Sequence, residues 1–280
     1  FAGISTVLFA AVVIIPFIYG LYLTFTSWDG ISKDKQFVGF ANYIATFKDI
    51  AYWQALGRTV IYSVISVVLV NVVAFFLAYL LTSGIKGQNF FRAGFFIPNL
   101  IGGIVLGYIW SMIFNGVLGK INTSILMETR YGFWGLIILM CWQQVGYMMI
   151  IYIAGLQAVP GELIEAAKID GATKWQTLTR VTIPNIMPSI TICLFLTITN
   201  GFKLFDQNLA LTNGQPFEQL KDGSVIKTTE MLALNIYNTF YGQSLTGKGV
   251  AQAKAVIFFI LVAGISIIQL KATRSKEVQQ

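Results

Sequence analysis

The sequence contains no histidine, only two cysteines and few charged residues. Without histidine, the chain has no imidazole for acid–base catalysis, for a catalytic triad or for metal binding. Cys141 and Cys193 both lie in apolar runs, so we expect packed free thiols rather than a disulfide. A Gly-x-x-x-x-Gly-Lys-Ser/Thr phosphate-binding loop is also missing from the sequence, which excludes a nucleotide-hydrolysing domain of that type within it.

The scarcity of charge defines the class of protein. Charged residues make up 11% of the chain and hydrophobic residues 56%, whereas soluble domains carry about 25% charged residues. A surface of this composition cannot be mainly water-facing. The net charge of +7 comes from basic residues scattered over connecting segments. We interpret them as interfacial anchors that orient the chain in a bilayer, and not as a nucleic-acid-binding surface.

Six apolar stretches have the length of about 20 residues that a membrane-crossing helix needs. They cover approximately residues 2–27, 56–82, 93–114, 133–157, 188–205 and 251–270. The fifth is short and ends in Asn200, Gly201 and Lys203, which favours a helix that lines a cavity. We therefore predict a single all-α membrane domain over residues 1–280. Because the chain opens directly on an apolar run, we also expect residues before Phe1 in the natural protein.

The distribution of lysine and arginine predicts the orientation. Six spans put both termini on one side, and segments 83–92, 158–187 and 271–280 carry the densest basic charge. Density therefore favours cytoplasmic termini and a cytoplasmic 158–187 connection. The loops 28–55 and 206–250 would then face outward. The second of these contains an amphipathic run, which predicts a small folded cap on the outer mouth and includes Met231, Leu234, Tyr237 and Tyr241.

The connection 158–187 is predicted to form two short helices at an angle. Pro160 suits the start of the first helix, and Gly171 supplies the positive φ that ends it. Thr173 and Gln176 have the spacing of a capping box, which starts the second helix.

The end of the second helix and the surface of the pair carry two further expectations. We expect the helix to end near Ile183, because Pro184 disfavours a helical conformation in the residue before it. Small residues surround Glu165, whereas an ordinary connector needs neither ordered helices nor such a surface. This pattern favours close docking into a groove of another protein.

The spacing within this loop resembles a known motif. Glu165-Ala166-Ala167, then three residues, Gly171, nine residues and Val181-Thr-Ile-Pro184 closely resemble the Glu-Ala-Ala (EAA) loop of permeases in ATP-driven (ABC-type) importers. Val181 and Ile183 replace the isoleucine and leucine of the family pattern. Asp170-Gly171-Ala172 is similar to the sugar-transporting branch.

Signatures along nearly the whole chain extend this resemblance. The first is Phe37-Val-Gly-Phe-Ala-Asn-Tyr43. The second runs from Phe91-Arg92 through Phe96-Ile-Pro98 and continues with Trp110, Gly119, Ile121 and Asn122. The third is Leu211-Thr-Asn-Gly-Gln-Pro216. In the last of them Gln215 replaces a glycine. Together they resemble the maltose/glycerol-phosphate/multiple-sugar permease group, without the extra N-terminal spans of the maltose member.

The resemblance implies a type I importer permease fold and a division of labour. The chain would form half of a sugar translocation pathway in a bacterial or archaeal cell membrane. A second, different permease would supply the other half, and an external sugar-binding protein would deliver the substrate. Two cytoplasmic ATPase subunits would hold ATP and magnesium, so this chain would carry no catalytic residue, cofactor or metal. The residues implied to contact the ATPase are Glu165, Ala166, Ala167, Asp170, Gly171, Ala172 and Pro184.

Polar side chains inside the spans are candidates for contact with a sugar. Sugars are held by amide and hydroxyl groups beside an aromatic surface, and buried polar groups in a membrane are costly without such a role. Alignment with the maltose-type pocket implies Asn99, Gly103, Gln143, Gln144, Tyr147, Thr197, Asn200, Gly201 and Leu204.

The alternative for these residues is interhelical hydrogen bonding to the second permease, worth about 0.6 kcal/mol per bond. We favour the pocket for Gln143, Gln144 and Asn200, leave Thr197 and Asn99 open, and assign Asn71 to interhelical bonding. The pair Gly103 and Gly107 has the spacing that lets helices approach closely, with no partner identified.

Two other classes of membrane protein would show different features. A stand-alone secondary transporter or channel would carry charged coupling sites near mid-membrane and would not need the docking loop. The charges near these spans lie close to their ends, at Arg58, Lys203, Asp206 and Lys254. A membrane-embedded enzyme would need paired carboxylates or other catalytic groups at depth, and the spans lack them. An oligosaccharide is the expected substrate, but the sugar itself stays open.

Overall fold

The computed structural model describes residues 2–31, 35–221, 223–242 and 247–275. In chain order, its α-helices in the first half are α1 (Ala2–Phe9), α2 (Ile15–Leu23), α3 (Ala41–Lys48), α4 (Ile50–Leu81), α5 (Gln88–Phe96), α6 (Gly103–Leu118) and α7 (Thr129–Ala158). Those in the second half are α8 (Gly161–Ile169), α9 (Lys174–Thr177), α10 (Ile183–Asn185), α11 (Met187–Phe202), α12 (Asp206–Leu211), α13 (Leu232–Tyr241) and α14 (Gly247–Arg274). Two strands, β1 (Phe217–Gln219) and β2 (Val225–Lys227), pair antiparallel.

The predicted spans are present, with one of them bent. Five helical runs are long and apolar enough to cross a membrane: residues 3–23, α4, the 103–121 run, α7 and α14. The sixth crossing is α11, which follows the 174–185 helix across a bend of 71°. The six-span prediction therefore holds when this bent pair is counted as one crossing.

Most predicted boundaries differ from the structure by several residues. The first span ends at Leu23 rather than at residue 27. The second starts six residues early, because the carboxylate of Asp49 accepts from the backbone amides of Ala51 and Tyr52 and caps α4 there. An apolar-window search misses that capped turn.

The predicted third span 93–114 is not one continuous helix, so that boundary was wrong. Residues Ile97–Leu100 form a 3₁₀ turn that contains Pro98, which has no amide hydrogen to continue an α-helix. Ile101 and Gly102 are extended, with ψ of 131° and 141°. Because the helix breaks there, the backbone carbonyl of Ile101 is free to accept a side-chain hydrogen bond.

The core lies where α4, α7 and α11 pack together. One apolar cluster joins α4 and α7 to α6 and α12, and it includes Tyr62, Leu106, Leu136 and Leu204. A second cluster joins α4, α7 and α11, where Cys193 is buried as a free thiol, as expected. Many other apolar side chains on the outside of these helices are exposed, as lipid-facing surfaces require.

The segment between α12 and α14 is folded, as the amphipathic run predicted. The β1–β2 hairpin leads into α13, which buries Leu232 and Leu234 and leaves Tyr241 exposed. Leu232 packs on Tyr52 and Ala55 near the start of α4. We call the hairpin and α13 the cap.

Candidate functional site

The first half of the 158–187 connection folds as predicted. Helix α8 begins directly after Pro160 and carries Glu162 in its first turn, where a negative charge is favourable. Gly171 ends it with φ of 76°. The amide of Ala172 donates to the carbonyl of Ala167 at 2.9 Å, and the Gly171 amide donates to Lys168 at 3.1 Å. This pair of bonds is a Schellman termination, which requires the left-handed conformation that glycine adopts without strain.

The second half starts as predicted but does not end where expected. The capping box is formed: the Thr173 amide donates to Gln176 Oε1 at 2.8 Å, and the Gln176 amide donates to Thr173 Oγ1 at 3.3 Å. The helix then passes Ile183, which is helical, and runs through Pro184 to Asn185. A π-helical turn at Leu178–Thr182 precedes the proline. This wider turn changes the hydrogen-bond register, so the helix accommodates a residue without an amide hydrogen.

The residues assigned to coupling form an accessible surface on this helix pair. Glu165, Ala166, Asp170 and Gly171 are exposed, while Ala167, Ala172 and Pro184 are half-buried. Within the part of the chain that the structure describes, the Glu165 carboxylate has no ion pair or hydrogen bond. A cavity of about 370 Å³ separates the pair from the end of α4 and is lined by Tyr79, Lys168 and Lys174 among others. The arrangement leaves a charged, small-residue surface free for a partner protein.

Inside the bundle, Gln143 is fully engaged with neighbouring segments. Its Nε2 donates to the carbonyl of Ile101 at 3.1 Å, at the break in the third span. Its Oε1 accepts from Nε2 of Gln207 at 2.7 Å. Gln207 lies in α12 and was not singled out in the sequence, because it falls after the fifth apolar stretch. The pair Gln143 and Gln207 thus holds the broken span against α7 and α12.

The two glycines of the third span pack against α12. A β-carbon on Gly103 would lie 2.8 Å from the side chain of Asp206 and 2.9 Å from that of Gln207. One on Gly107 would lie 2.5 Å from the β-carbon of Ala210. The small-residue spacing therefore does signal close helix packing, and its partner is a short helix of the same chain.

The fifth span faces α4 with residues that were assigned to the pocket. Asn71 donates to Thr197 Oγ1 at 2.9 Å and accepts from the Tyr152 hydroxyl at 2.7 Å, so it does bond between helices, but its partners lie in this chain. Gly201 lies against Ser63 of α4, and Leu204 is buried in the apolar core. For Thr197, left open above, these contacts favour the interhelical interpretation in this conformation.

Four pocket candidates keep a free polar group. Within the described residues, the side chains of Asn99, Gln144, Tyr147 and Asn200 make no hydrogen bond. Gln144 is the most telling of them, since the residue is only 9% exposed while its amide atoms stay accessible and have no partner among the described residues. Asn99 lies in the 3₁₀ turn of the broken span, and Tyr147 is 36% exposed one turn beyond Gln144.

A charged network at the cap was also missed in the sequence. Lys254 in α14 is 1% exposed and pairs with Asp49 at 2.6 Å. Its position near the end of an apolar span made it look like an interfacial lysine, although the cap folds over it. A buried lysine whose partner is 205 positions away in sequence gives no local signal.

The fold, the exposed helix pair and the polar groups of the bundle define a membrane permease component. The chain belongs to the family described as the inner membrane component of binding-protein-dependent transport systems, whose model matches residues 71–272. It is 44% identical over 276 residues to the probable starch degradation products transport system permease protein of Thermoanaerobacterium thermosulfurigenes, covering 96% of this chain and 90% of that one. It is 32% identical over 272 residues to the multiple sugar-binding transport system permease protein of Streptococcus mutans, covering 94% and 90%.

Solved structures share the fold. A chain of a bacterial ABC transporter that imports the acidic polysaccharide alginate matches with a TM-score of 0.77 at 18% identity, over 97% of this chain and 92% of that one. The same kind of transporter in complex with a pentasaccharide-bound periplasmic protein matches with a TM-score of 0.76 at 19% identity, with the same coverage. At such identities the likeness concerns the architecture, and it confirms the importer permease fold predicted from the EAA-like loop.

Proposed function

We propose that this chain forms half of the translocation pathway of an ATP-driven importer for oligosaccharides. The observation that carries the proposal is its 44% identity, along almost its whole length, to a permease named for starch degradation products. The second relative is named for multiple sugars. The unpaired amides of Gln144 and Asn200 and the phenol of Tyr147 supply the hydrogen-bonding and aromatic groups that sugar recognition uses.

The helix pair of residues 160–184 would couple the permease to an ATPase. The exposed Glu165 would make the charged contact in a cleft of that subunit, and the small residues beside it would allow close approach. Gly171 would set the angle between α8 and α9. Closure of two ATPase subunits on ATP would move this pair, and the bend of 71° before α11 would pass the movement directly to the fifth span.

The remaining partners follow from the same scheme. A second permease would complete the pathway, and a sugar-binding protein would dock on the outer loops and the cap. Both termini and the 158–187 connection would lie on the same side, because six crossings return the chain to its starting side. The density of lysine and arginine favours the cytoplasm as that side. ATP and magnesium would bind to the ATPase subunits, so this chain would need no cofactor of its own.

The roles of the pocket candidates would differ. Gln144, Asn200, Asn99 and Tyr147 would contact the sugar, since their polar groups are free. Gln143 and Gly103 would shape the pathway through their contacts with Gln207, Ile101 and Asp206. Thr197, Gly201 and Leu204 would hold the fifth span in place.

Reconstitution tests the proposal. The chain is purified with its second permease and ATPase, placed in liposomes and supplied with the binding protein. ATP hydrolysis and uptake are measured for a series of malto-oligosaccharides, with glucose as the monosaccharide control. We expect hydrolysis to rise only with the binding protein and an oligosaccharide together. Uptake by liposomes that lack the ATPase would instead identify a stand-alone transporter and contradict the proposal.

A further inference from the structure

Four side chains with charge or amide groups meet where the cap contacts the outer ends of α4 and α14; Glu230, Asn235 and Lys254 are buried, whereas the Asp49 side chain is 31% exposed. They are Asp49, Glu230, Asn235 and Lys254, and we call them the cap clamp. The Lys254 ammonium donates to Asp49 Oδ2 at 2.6 Å, to Asn235 Oδ1 at 3.0 Å and to Thr239 Oγ1 at 2.7 Å. An ammonium group has three donors, and all three are therefore satisfied in this closed environment.

Asn235 links the positive end of the clamp to its negative end. Its Oδ1 accepts from Lys254, and its Nδ2 donates to Glu230 Oε2 at 2.8 Å. The other carboxylate oxygen of Glu230 accepts from Asn238 at 2.5 Å. Glu230 is only 5% exposed. Because a cation lies on one side of the Asn235 amide and an anion on the other, the orientation of that amide is fixed.

The clamp joins the start of α4 to α13 and α14, two consecutive helices much later in the sequence. Asp49 uses one carboxylate oxygen to cap α4 and the other to bind Lys254 of α14. Asn235 and Thr239 lie in α13 of the cap. About two and a half turns further along α4, Arg58 donates to the carbonyls of Lys227 at 2.8 Å and Glu230 at 3.3 Å. The cap is thus bonded directly to α4 through Arg58 and Thr59, and indirectly to Asp49 through Lys254.

An ion pair with a buried partner is a poor source of stability, because removing the Lys254 ammonium from water costs about as much as its attraction to Asp49 returns. Apolar residues would hold the cap as firmly, as Leu232 already does against Tyr52 and Ala55. The clamp instead fixes the orientation of the cap relative to the spans, because each donor meets one acceptor in one geometry. A lid that opens during transport would have to expose and separate these charges in every cycle.

We infer that Lys254 is a positioning residue and that the cap clamp makes α13 one rigid body with the outer ends of α4 and α14. The cap then moves with these spans as the pathway opens outward, and it does not open as a separate lid. This inference rests on the proposed import function. A binding protein docked on the cap would act directly on the second and sixth spans through Asp49 and Lys254.

Spin-label distances in the reconstituted complex test this inference. The native cysteines are first removed as Cys141→Ser and Cys193→Ala. Spin labels are then attached at two exposed positions, in Gly57→Cys on α4 and Tyr241→Cys on α13. We expect one narrow distance that is the same in the nucleotide-free complex and in the complex trapped with ADP and vanadate after addition of ATP. A wild-type distance that differs between these two states would overturn the inference.

Variants separate positioning from simple stability. Lys254→Met should broaden the distance at least twofold and lower the binding-protein-stimulated ATP hydrolysis. Asp49→Asn combined with Lys254→Met should recover part of the thermal stability, because both partners of the ion pair are removed and asparagine still caps α4, while Glu230 keeps its bonds to Asn235 and Asn238. It should keep the broad distance. A narrow distance in either variant would show that packing alone holds the cap and would overturn the inference.

Two further variants complete the design. Thr239→Val removes one of the three acceptors and should broaden the distance less than Lys254→Met, which keeps the test decisive if the latter fails to assemble. A distance in Thr239→Val as narrow as in the wild type would then count against the clamp. Lys271→Met, at an exposed position of the same helix, serves as the matched control and should change nothing. A lack of ATP-dependent uptake in the unlabelled wild type would contradict the proposed function instead. The distances measured without nucleotide would still show whether the clamp holds the cap rigidly against α4.

Discussion

The side-chain amide of Gln207 donates to that of Gln143 across 2.7 Å, whereas the adjacent Gln144 has no partner among the described residues. Two consecutive glutamines in one span therefore have different environments. Gln143 continues to the carbonyl of Ile101 and closes a chain of hydrogen bonds around the break in the third span. Gln144 keeps its full hydrogen-bonding capacity, which is the property that a substrate contact requires.

We predict that Gln144→Leu changes the relative uptake of different sugars by about tenfold or more, because a site that hydrogen-bonds its substrate discriminates strongly when the bond is lost. The ATPase should stay coupled, since Gln144 does not touch the 160–184 helix pair. The measurement is uptake and ATP hydrolysis over a series of oligosaccharides. Unchanged rates for every sugar would place Gln144 among the packing residues.

We predict the opposite pattern for Asn71→Leu. Asn71 bonds Thr197 and Tyr152, so its loss removes two interhelical hydrogen bonds. At about 0.6 kcal/mol each, the free energy of unfolding should fall by roughly 1 kcal/mol. Thermal unfolding in detergent would detect this as a lower melting temperature. Sugar preference should not change, and a shift in preference would mean that Asn71 lines the pathway after all.

Sequence reasoning identified local features well, because their causes are local. The capping box at Thr173 and the termination at Gly171 each depend on a few adjacent residues. The continuation past Pro184 was missed, since a π-helical turn upstream accommodates the proline and leaves no mark in the residue pattern.

Tertiary partners could not be read from the sequence in the same way. Gln207 and Lys254 acquire their roles only when α12 and the cap fold back on the spans. Likewise, Thr197 and Gly201 share one face of α11, as a pocket would require, and Leu204 follows just after its end. Only the packing of that face on α4 shows that it is covered in this conformation.

Glu165→Arg should abolish coupled transport. Its carboxylate is exposed and unpaired among the described residues, so the substitution should not disturb the fold. In the assembled importer it would lose a charged contact of about 2–5 kcal/mol, and uptake should fall by roughly 30-fold or more. Membrane insertion and thermal stability of the isolated chain should match the wild type. Glu162→Gln, an exposed glutamate on the same helix, is the control and should keep most of its activity. Normal uptake in Glu165→Arg would remove this residue from the coupling role.

The bend at Gly171 gives a prediction about backbone conformation alone. A β-carbon there would meet nothing within 4 Å, so space is not the constraint. The constraint is the φ of 76°, because this backbone angle costs a residue with a side chain about 1 kcal/mol or more. Gly171→Ala should therefore lower ATP-dependent uptake several-fold. Gly171→Asn should lower it less, because asparagine tolerates the left-handed region. Equal effects of the two substitutions would show that a contact, and not the backbone angle, makes glycine necessary.

Gly146 makes a complementary prediction, since space is the constraint there. It lies in α7, where a β-carbon would fall 1.8 Å from the carbonyl oxygen of Phe95 and 2.3 Å from its carbonyl carbon. Those atoms belong to the backbone of α5, so they cannot turn aside as a side chain would. Gly146→Ala must push α5 away from α7, and we expect a loss of about 2–3 kcal/mol in the free energy of unfolding.

Gly264→Ala is the matched control for this helix packing. Gly264 is also a helical glycine in a span, but nothing lies within 4 Å of its would-be β-carbon. Alanine is about 1 kcal/mol better than glycine inside a helix, so this variant should be as stable as the wild type or more so. Both variants can be compared by thermal unfolding and by the yield of folded protein in detergent. If Gly146→Ala were as stable as Gly264→Ala, the close approach of α5 and α7, and with it the position of the broken third span, would be wrong.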